Sequence, residues 1–383
     1  MDMNYSLYFN EDHDSIREVA RSFAEKTLAP IAAEIDATEK FPMDVVAAMA
    51  EMGLFGIKIP EEYGGIGMDT RSYVCVMEEL ARKSAAATIW VSSTNSLGSA
   101  PLLLFGTEEQ KQNILPGIAS GEIIIAFGLT EPNAGSDAAS VSTKAVKDGD
   151  HYILNGRKCF TTLAPLCHYC IIFAKTSPDK GAKGITAFLL DMSLPGVSCG
   201  RAEKKMGQRG VPVSDVVLED VRVPKSCILG EVDGGFAVAM KTLDVGRIGV
   251  SSMSLGLAAE ALDLAVAHTS TRIQFGRALS KQPVLRFMMA DMQTKLSASR
   301  LLVYDAAYRM DIREDATLAA SMAKYYSTEA AKDIIDKSLQ LHGGYGYSHE
   351  YAIERIYRDI RINTIYEGSS QVQQIVIAGT VLS

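Results

Sequence analysis

The sequence predicts an α+β protein in three parts: an N-terminal helical domain, a central β-sheet or barrel domain, and a C-terminal four-helix bundle. Three observations carry the prediction. Apolar residues recur at helical spacing from about residue 14 to 120, the period drops to two between about 123 and 228, and helical spacing returns after 232 and persists. The expected domains are therefore 1–122, 123–231 and 232–383. Strands and helices do not alternate regularly, which argues against a doubly wound nucleotide-binding sheet.

In the first part, "SIREVARSFAEKTLAPIAAEI" places Ile16, Val19, Ala20, Phe23, Ala24 and Leu28 on one helix face, with Ser15 set to cap its start. The pattern repeats in "PMDVVAAMAEMGLFG" and "SYVCVMEELARKSA". Between them, "PEEYGGIGMDT" has turn glycines but no preceding strand, so it is not a phosphate-binding fingerprint. In the middle part, "DGDHYILNGRKCFTT" holds Asp148-Gly149 and Asn155-Gly156, dipeptides that favour tight hairpin turns. "GITAFLLDM" and "SDVVLEDVRVP" read as further strands. In the last part, "SMSLGLAAEALDLAVAHTS" and "FMMADMQTKLSASRLLVYDAAYRM" are long amphipathic stretches suited to a bundle.

Of the 383 residues, 47% are hydrophobic and 22% charged, the balance of an ordinary globular protein with a sizeable core. The net charge of −8 argues against nucleic-acid partners and against docking on anionic membranes. No uninterrupted apolar run reaches the roughly 18 residues of a spanning helix. The N-terminus "MDMNYSLYFNEDHDSIREVA" has the character of neither a secretion signal nor a transit peptide. The expectation is a cytoplasmic protein without membrane insertion. Six cysteines in a chain this long do not suggest a disulfide framework. The pair Cys167 and Cys170 in "CHYC" lacks a second CxxC and borders "IIFAK", which reads as a strand entering a core. Packed, reduced thiols are expected there, and no metal site.

Three segments carry candidate chemistry. "AFGLTEPNAGSDAAS" (126–140) opens the β region with small residues and the hydroxyls of Thr130, Ser136 and Ser140, fit either for a polar connector or for a loop that approaches a ligand closely. "QLHGGYGYSHEYAIERIYRD" (340–359) breaks a helical region at Gly343, Gly344 and Gly346, as a helix-to-helix turn or a ligand approach would. "TRIQFGRALS" sets Arg272 and Arg277 around Phe275, suited to a diphosphate and a flat ring, or to a solvated helix end. A fourth stretch, "RINTIYEGSSQVQ", poses a question of its own. Glu367 follows the apolar pair Ile365 and Tyr366 and reads either as a helix-end glutamate in solvent, the usual fate of glutamate, or as a buried one, costly unless its pKa rises or a partner charge appears.

Taken together, these segments resemble the acyl-CoA dehydrogenase family, in the manner of its short-chain, butyryl-CoA dehydrogenase-like flavoproteins. Gly128-Leu129-Thr130-Glu131 with Ala134-Gly135-Ser136-Asp137 is similar to the family's first signature. Gln340, Gly343-Gly344, Gly346-Tyr347, Glu350, Arg355 and Asp359 are similar to its second. "LDVGRIG", "RIQFG" and "IYEGSSQ" fall where that family has comparable sequences. The likeness spans essentially the whole chain.

The resemblance implies an FAD enzyme that oxidises an acyl-CoA thioester to the 2,3-enoyl-CoA: a base takes the α proton while hydride leaves the β carbon for flavin N5. The glutamate of "IYEG", Glu367, is implied as that base. Apolar surroundings would raise its pKa from about 4.3 and strengthen it. The thioester carbonyl is expected to accept hydrogen bonds from a ribityl hydroxyl and from the Glu367 amide. In one branch of the family the base stands on the "LDVGR" helix instead; here that place is Gly246. By position, Phe127, Leu129, Thr130, Phe160, Thr161 and Thr162 are implied around the flavin ring. Ser136 is implied at both cofactor and substrate. Asp244, Arg247, Tyr366 and Gly368 are implied at the substrate. Arg272, Phe275, Gln340, Gly343 and Gly344 are implied at the diphosphate and adenosine of FAD, largely from a neighbouring subunit, with Ser369 and Gln371 also touching it. A homotetramer and an electron-transfer flavoprotein partner follow from the same likeness.

Two departures stand out. The family commonly continues Phe160 as Ile-Thr-Asn-Gly-Gly; this chain has Thr161-Thr162-Leu163-Ala164-Pro165. Pro283 replaces a common FAD-contacting glutamine, with Gln282 adjacent and proline unable to donate from nitrogen. Trp90, Val91, Thr94 and Leu97 are candidates for the base of the acyl pocket. The lone tryptophan there points either to a core residue or to a cavity shaped for a short, branched or ring-containing acyl group. The same active site serves an enoyl-CoA reductase, so direction stays open between the two. A catalytically silent acyl-CoA-binding scaffold is the remaining alternative, and the retained Glu367 argues against it.

Overall fold

Asn10, not Ser15, starts the first helix, α1 (Glu11–Phe23). Its side chain accepts from the His13 N–H while His13 Nδ1 accepts from the Asn10 N–H, and Glu11, Asp12 and Asp14 favour the positive helix end. Ser15 sits inside the helix and donates to Glu11 O at 2.8 Å. Of the expected core face, Ala20, Ala24 and Leu28 are buried, whereas Val19 is exposed. The computed structural model describes residues 7–382, so the first six residues of the N-terminal stretch lie outside it.

Six more helices follow: α2 (Ala29–Thr38), α3 (Met43–Glu51), α4 (Thr70–Lys83), α5 (Ala85–Ser92), α6 (Ser99–Phe105) and α7 (Glu108–Ser120). The middle region is a sheet of β1 (Ile125–Gly128), β2 (Lys144–Asp148), β3 (His151–Thr162), β4 (Tyr169–Lys175), β5 (Ile185–Asp191), β6 (Val197–Cys199), β7 (Val213–Pro224) and β8 (Ile228–Leu229). Its order is β6-β7-β3-β2-β4-β5-β8, with β1 parallel to β4. Asp148-Gly149 makes the β2–β3 turn. Asn155-Gly156 makes no turn. It lies within β3 at a register shift against β7, where Gly156 approaches the Thr143 backbone too closely for a side chain and Asn155 pairs with Asp220. Cys167 and Cys170 are buried, unpaired thiols at the entry to β4; Cys199 is exposed.

The C-terminal region comprises α8 (Gly235–Thr271), a two-stranded ribbon of β9 (Ile273–Gln274) and β10 (Arg277–Ala278), then α9 (Pro283–Asp311), α10 (Thr317–His342), α11 (Ala352–Ile360) and α12 (Ser370–Leu382). Among the described residues α8 alone is long and apolar enough to cross a membrane, but 72% of its apolar window is buried inside the protein. It is a core helix. One continuous core joins α4 and α5 to α8, α9 and α10 through Tyr73, Trp90, Ile248, Met253, Tyr304 and Ile334. This packing lays α4, α5 and the 366–368 turn against the same stretch of α8.

Candidate active site

Glu367 lies in the turn between α11 and α12, in a left-handed backbone conformation (φ 53°) that non-glycine residues seldom adopt. Its Oε2 is sealed from water and has no hydrogen-bond partner among the described residues. The neighbour that makes room for it is Gly246 on α8. A Cβ there would stand 2.0 Å from Oε2 and 3.3 Å from Leu97 Cδ2. The two positions that could carry a base thus share one volume, and only one side chain fits it.

Burial drives the Glu367 carboxyl up to about 7, against the opposing pull of Lys324 and then Arg247. Loss of hydration outweighs both nearby cations, so the group is poised to gain or lose a proton near neutrality. Lys324, buried on α10, donates through Nζ to Tyr366 O at 2.9 Å and Gly368 O at 2.5 Å. Arg247 is nine-tenths buried. It donates to Asp244 at 2.7 Å and to Ser321 at 3.2 Å, and its Nε has no partner among the described residues. Asp244 also accepts from Thr317 at 2.8 Å.

A second group of candidate residues lies on the sheet. β3 loses register against β7 between Lys158 and Thr161, and this bulge re-aims its end. Phe160 takes a left-handed backbone (φ 54°) and is 67% exposed, while Thr161 Oγ1 is buried without a partner among the described residues. The first signature loop is fastened beneath it. Glu131 and Lys158 form a fully buried ion pair of 2.7 Å, and Glu131 also accepts from the N–H and hydroxyl of Ser142 and Thr143. Burial raises the Glu131 carboxyl, but Lys158 and these donors overcome it and hold it at about 2. Thr130 O accepts from Cys159 N at 2.9 Å, tying the loop to β3.

The chain matches one family of known proteins along its length. Residues 10–122 match the N-terminal domain of acyl-CoA dehydrogenase, 126–221 its middle domain and 233–382 its C-terminal domain. The chain belongs to the acyl-CoA dehydrogenase family. It is 54% identical to a 3-(aryl)acrylate reductase of Clostridium sporogenes, over 98% of this chain and all of the relative. It is 53% identical, with the same coverage, to the caffeyl-CoA reductase–Etf complex subunit CarC of Acetobacterium woodii. The butyryl-CoA dehydrogenase structure from Megasphaera elsdenii superposes with a TM-score of 0.96 at 40% identity, covering both chains completely.

Like its family, this chain is an FAD-dependent oxidoreductase, and its residues fit the cofactor. The exposed, strained Phe160 offers an aromatic face, and the partnerless Thr161 hydroxyl offers a hydrogen bond beside it. Phe127, Leu129, Thr130 and Thr162 lie half-buried around that strand end, with Ser136 exposed on the adjoining loop. Ser369 and Gln371 flank the start of α12, next to Gly368 and the half-buried Tyr366.

Arg272, Gln340, Gly343 and Gly344 line a separate cavity of about 770 Å³ with His268 and Tyr345, at the far end of α8. Phe275 is 93% exposed at the tip of the β9–β10 ribbon. From Gly246 to Arg272 the chain runs 26 residues along α8, about 39 Å at the helical rise. This cavity therefore lies about 39 Å along α8 from the Gly246–Glu367 contact.

The departures have structural readings. Leu163 adopts the left-handed backbone (φ 61°) that Asn or Gly favours, yet it is buried in the core cluster of Phe41 and Trp90. Pro283 is the first residue of α9, where its missing N–H is no loss, and Gln282 is engaged by Arg277 at 2.6 Å. Trp90 packs on Phe41 as a core residue, its indole N–H without a partner among the described residues. Val91 and Thr94 are buried beside it, and Leu97 reaches the Gly246–Glu367 space. Sequence reasoning missed Lys324, Lys158 and Tyr73. The Tyr73 hydroxyl lies 2.4 Å from where a Cβ on Gly249 would stand, one turn along α8 from Gly246.

Proposed function

We propose that the protein interconverts an acyl-CoA and its 2,3-enoyl-CoA, works in the direction of reduction, and takes an aryl-bearing acyl group. The observation that carries the chemistry is the dry Glu367 Oε2, without a partner among the described residues, facing Gly246 on α8. Reduction and the aryl group rest on the two relatives at 54% and 53% identity, both reductases by name. This favours the reductase alternative over the dehydrogenation first expected.

Bound FAD supplies two-electron chemistry at the β carbon. Glu367 then has one task, to give a proton to the α carbon in reduction or take it in oxidation. A carboxyl near pKa 7 does both at neutral pH. The Glu367 backbone N–H donates to no described group and is available to the thioester carbonyl, where negative charge develops. Phe160, Thr161 and Thr162 bind the flavin ring, Phe127, Leu129 and Thr130 line its edge, and Ser136, Tyr366 and Gly368 border the substrate. Asp244 and Arg247 hold the CoA arm only through their outer edge, because they already pair with each other.

The distant FAD-binding residues come from a second copy of the chain, which makes a homo-oligomer, a tetramer by family expectation, part of the site. The exposed Ile273, Phe275 and Phe287 are the surface it covers. An electron-transfer flavoprotein is the proposed redox partner, by analogy with the Etf complex of the Acetobacterium relative.

The test is anaerobic. Photoreduced enzyme is mixed with 3-phenylacrylyl-CoA or crotonyl-CoA, and return of the flavin band is followed. A faster initial rate of reoxidation by the aryl substrate is expected, with a smaller final return of the flavin band because its equilibrium is less favourable, and Glu367→Gln should keep its yellow colour and lose the reaction. Preference for crotonyl-CoA would sink the aryl assignment; fast reaction of the glutamine variant would sink the proton-transfer role.

A further inference from the structure

The turn that carries Glu367 is held by an unusual device. Three successive carbonyls, of Tyr366, Glu367 and Gly368, face inward rather than toward solvent. Lys324 Nζ donates to the first and third at 2.9 and 2.5 Å, and Gln373 Nε2 donates to the third at 2.9 Å and to the second at 3.4 Å. Both donors are buried. The backbone they hold is the one that φ statistics disfavour, left-handed at Glu367 (53°) and again at Gly368 (90°). A glutamine alone satisfies carbonyls without bringing a charge into the interior. The presence of a buried ammonium on the facing helix asks for a further reason, and the nearest uncompensated anion is Glu367.

Resting on the assignment of Glu367 as the proton-transfer group, we propose that Lys324 is its positioning residue. By bridging the carbonyls on either side of position 367, the ammonium locks the left-handed turn that aims the carboxyl group at Gly246, and it holds a positive charge beside that group. The two effects are separable. The hydrogen bonds set where the carboxyl group is; the charge sets how readily it ionises. Burial pulls Lys324 itself down to about 8; Glu367 opposes this, Arg247 adds to it and Glu329 opposes it. Lys324 therefore carries its charge over the lower part of the range in which Glu367 titrates. The other ionisable groups around the pair are Arg247 on α8, Glu329 on α10, Tyr73 on α4 and Tyr366, of which only Arg247 is a second cation. Removing the lysine charge leaves Arg247 as the sole counterweight to burial, so the Glu367 midpoint rises.

Lys324→Met and Lys324→Arg holoenzymes test this, with Glu367→Gln as the reference. Loss of both functions in Lys324→Met should lower kcat by about 10²-fold, the effect of a misplacement near 1 Å, with KM for acyl-CoA changed less than about threefold and FAD content retained. Isotope-edited difference infrared spectroscopy of the glutamate carboxyl band, identified by its disappearance in Glu367→Gln, should show a midpoint above the wild-type value. Lys324→Arg keeps the charge but its fork cannot sit between the same two carbonyls. Its midpoint should stay near wild type while kcat still falls at least about tenfold. If Lys324→Met does not fold, the arginine variant carries the test alone, and wild-type kcat in it overturns the proposal. An unshifted midpoint in a folded Lys324→Met overturns the electrostatic half, and unchanged kcat overturns the positional half. Inactive Glu367→Gln beside fully active Lys324→Met refutes this proposal only. Activity in both refutes the assignment of Glu367.

Discussion

Gly246→Ala is the most direct probe of the site. The added methyl would stand 2.0 Å from Glu367 Oε2 and 3.0 Å from its carboxyl carbon, so the carboxyl group must retreat by about 1.4 Å to reach an ordinary contact of 3.4 Å. The second neighbour, Leu97 Cδ2 at 3.3 Å, needs to yield only slightly. Displacements near 1 Å cost on the order of 10²-fold in rate, about 2.7 kcal/mol of transition-state stabilisation. The helix itself gains, because alanine is favoured over glycine by about 1 kcal/mol in a helix interior. The expected signature is therefore a variant with FAD bound, melting at or above the wild-type temperature, and kcat/KM lower by about 10²-fold. Steady-state kinetics with aryl and alkyl enoyl-CoAs, flavin absorbance and thermal unfolding measure the three quantities. A variant within about threefold of wild-type kcat/KM would show that the 246–367 contact does not set the position of the reacting group, and the steric reasoning would fall.

Other expectations follow from the same geometry. Reduction needs the protonated carboxyl and oxidation the carboxylate, so the reductive rate should fall and the oxidative rate should rise as pH passes through about 7, measured by stopped-flow in each direction. Because the folded pKa of Glu367 lies above its unfolded value, the wild type should be penalised relative to Glu367→Gln. The penalty is absent below pH 4.5, grows from 4.5 to 7 and is full above 7, and comparison of melting temperatures across that range checks it. Lys158→Met leaves Glu131 buried without its counter-charge and should cost about 3–5 kcal/mol in denaturant unfolding. Leu163→Ala should cost about 2–4 kcal/mol, since its side chain is buried in the core although its backbone is strained.

The fold was legible where periodicity is long. The helical stretches of α8 and α9 and the strands β5 and β7 declare themselves because burial on one face repeats over many residues. Local chemistry misled where tertiary contacts decide. Asn155-Gly156 has the composition of a turn, but Gly156 is needed for the close approach of Thr143, and the chain runs on as a strand. Ser15 resembles a cap, but Asn10 has His13 as its reciprocal partner and claims the helix start first. Glu367 could be found from its motif, whereas its strained backbone and Gly246 as the residue that makes room for it are facts of packing. Lys324 left a trace that went unused: it interrupts the stripe of Ala320, Ala323, Ser327, Ala331 and Ile334, all buried. A lysine in a buried helical stripe requires an acceptor, and on one sequence nothing names which. Lys158 makes the same point on an inward position of β3.

The direction of the reaction has a simple relation to this site. A carboxyl held near 7 by desolvation, against two cations, is neither a strong acid nor a strong base at neutral pH, so it imposes no preference on where the α proton resides. The residues around it are arranged for position: the glycine that leaves room, the lysine that fixes the turn, the bulge that presents Phe160. Such a site lowers one barrier, shared by both directions. Net flux is then set outside the site, by the potential of the flavoprotein that supplies or removes electrons and by the conjugation an aryl group adds to the enoyl product. Conjugation stabilises the unsaturated side, so an aryl substrate is harder to reduce than crotonyl-CoA at the same flavin potential. Reduction of such a substrate therefore demands a low-potential electron donor. Measured against a series of mediator dyes, the equilibrium for 3-phenylacrylyl-CoA should lie at a more negative potential than that for crotonyl-CoA with the same enzyme. Equal potentials would remove the reason for coupling this enzyme to a strongly reducing partner.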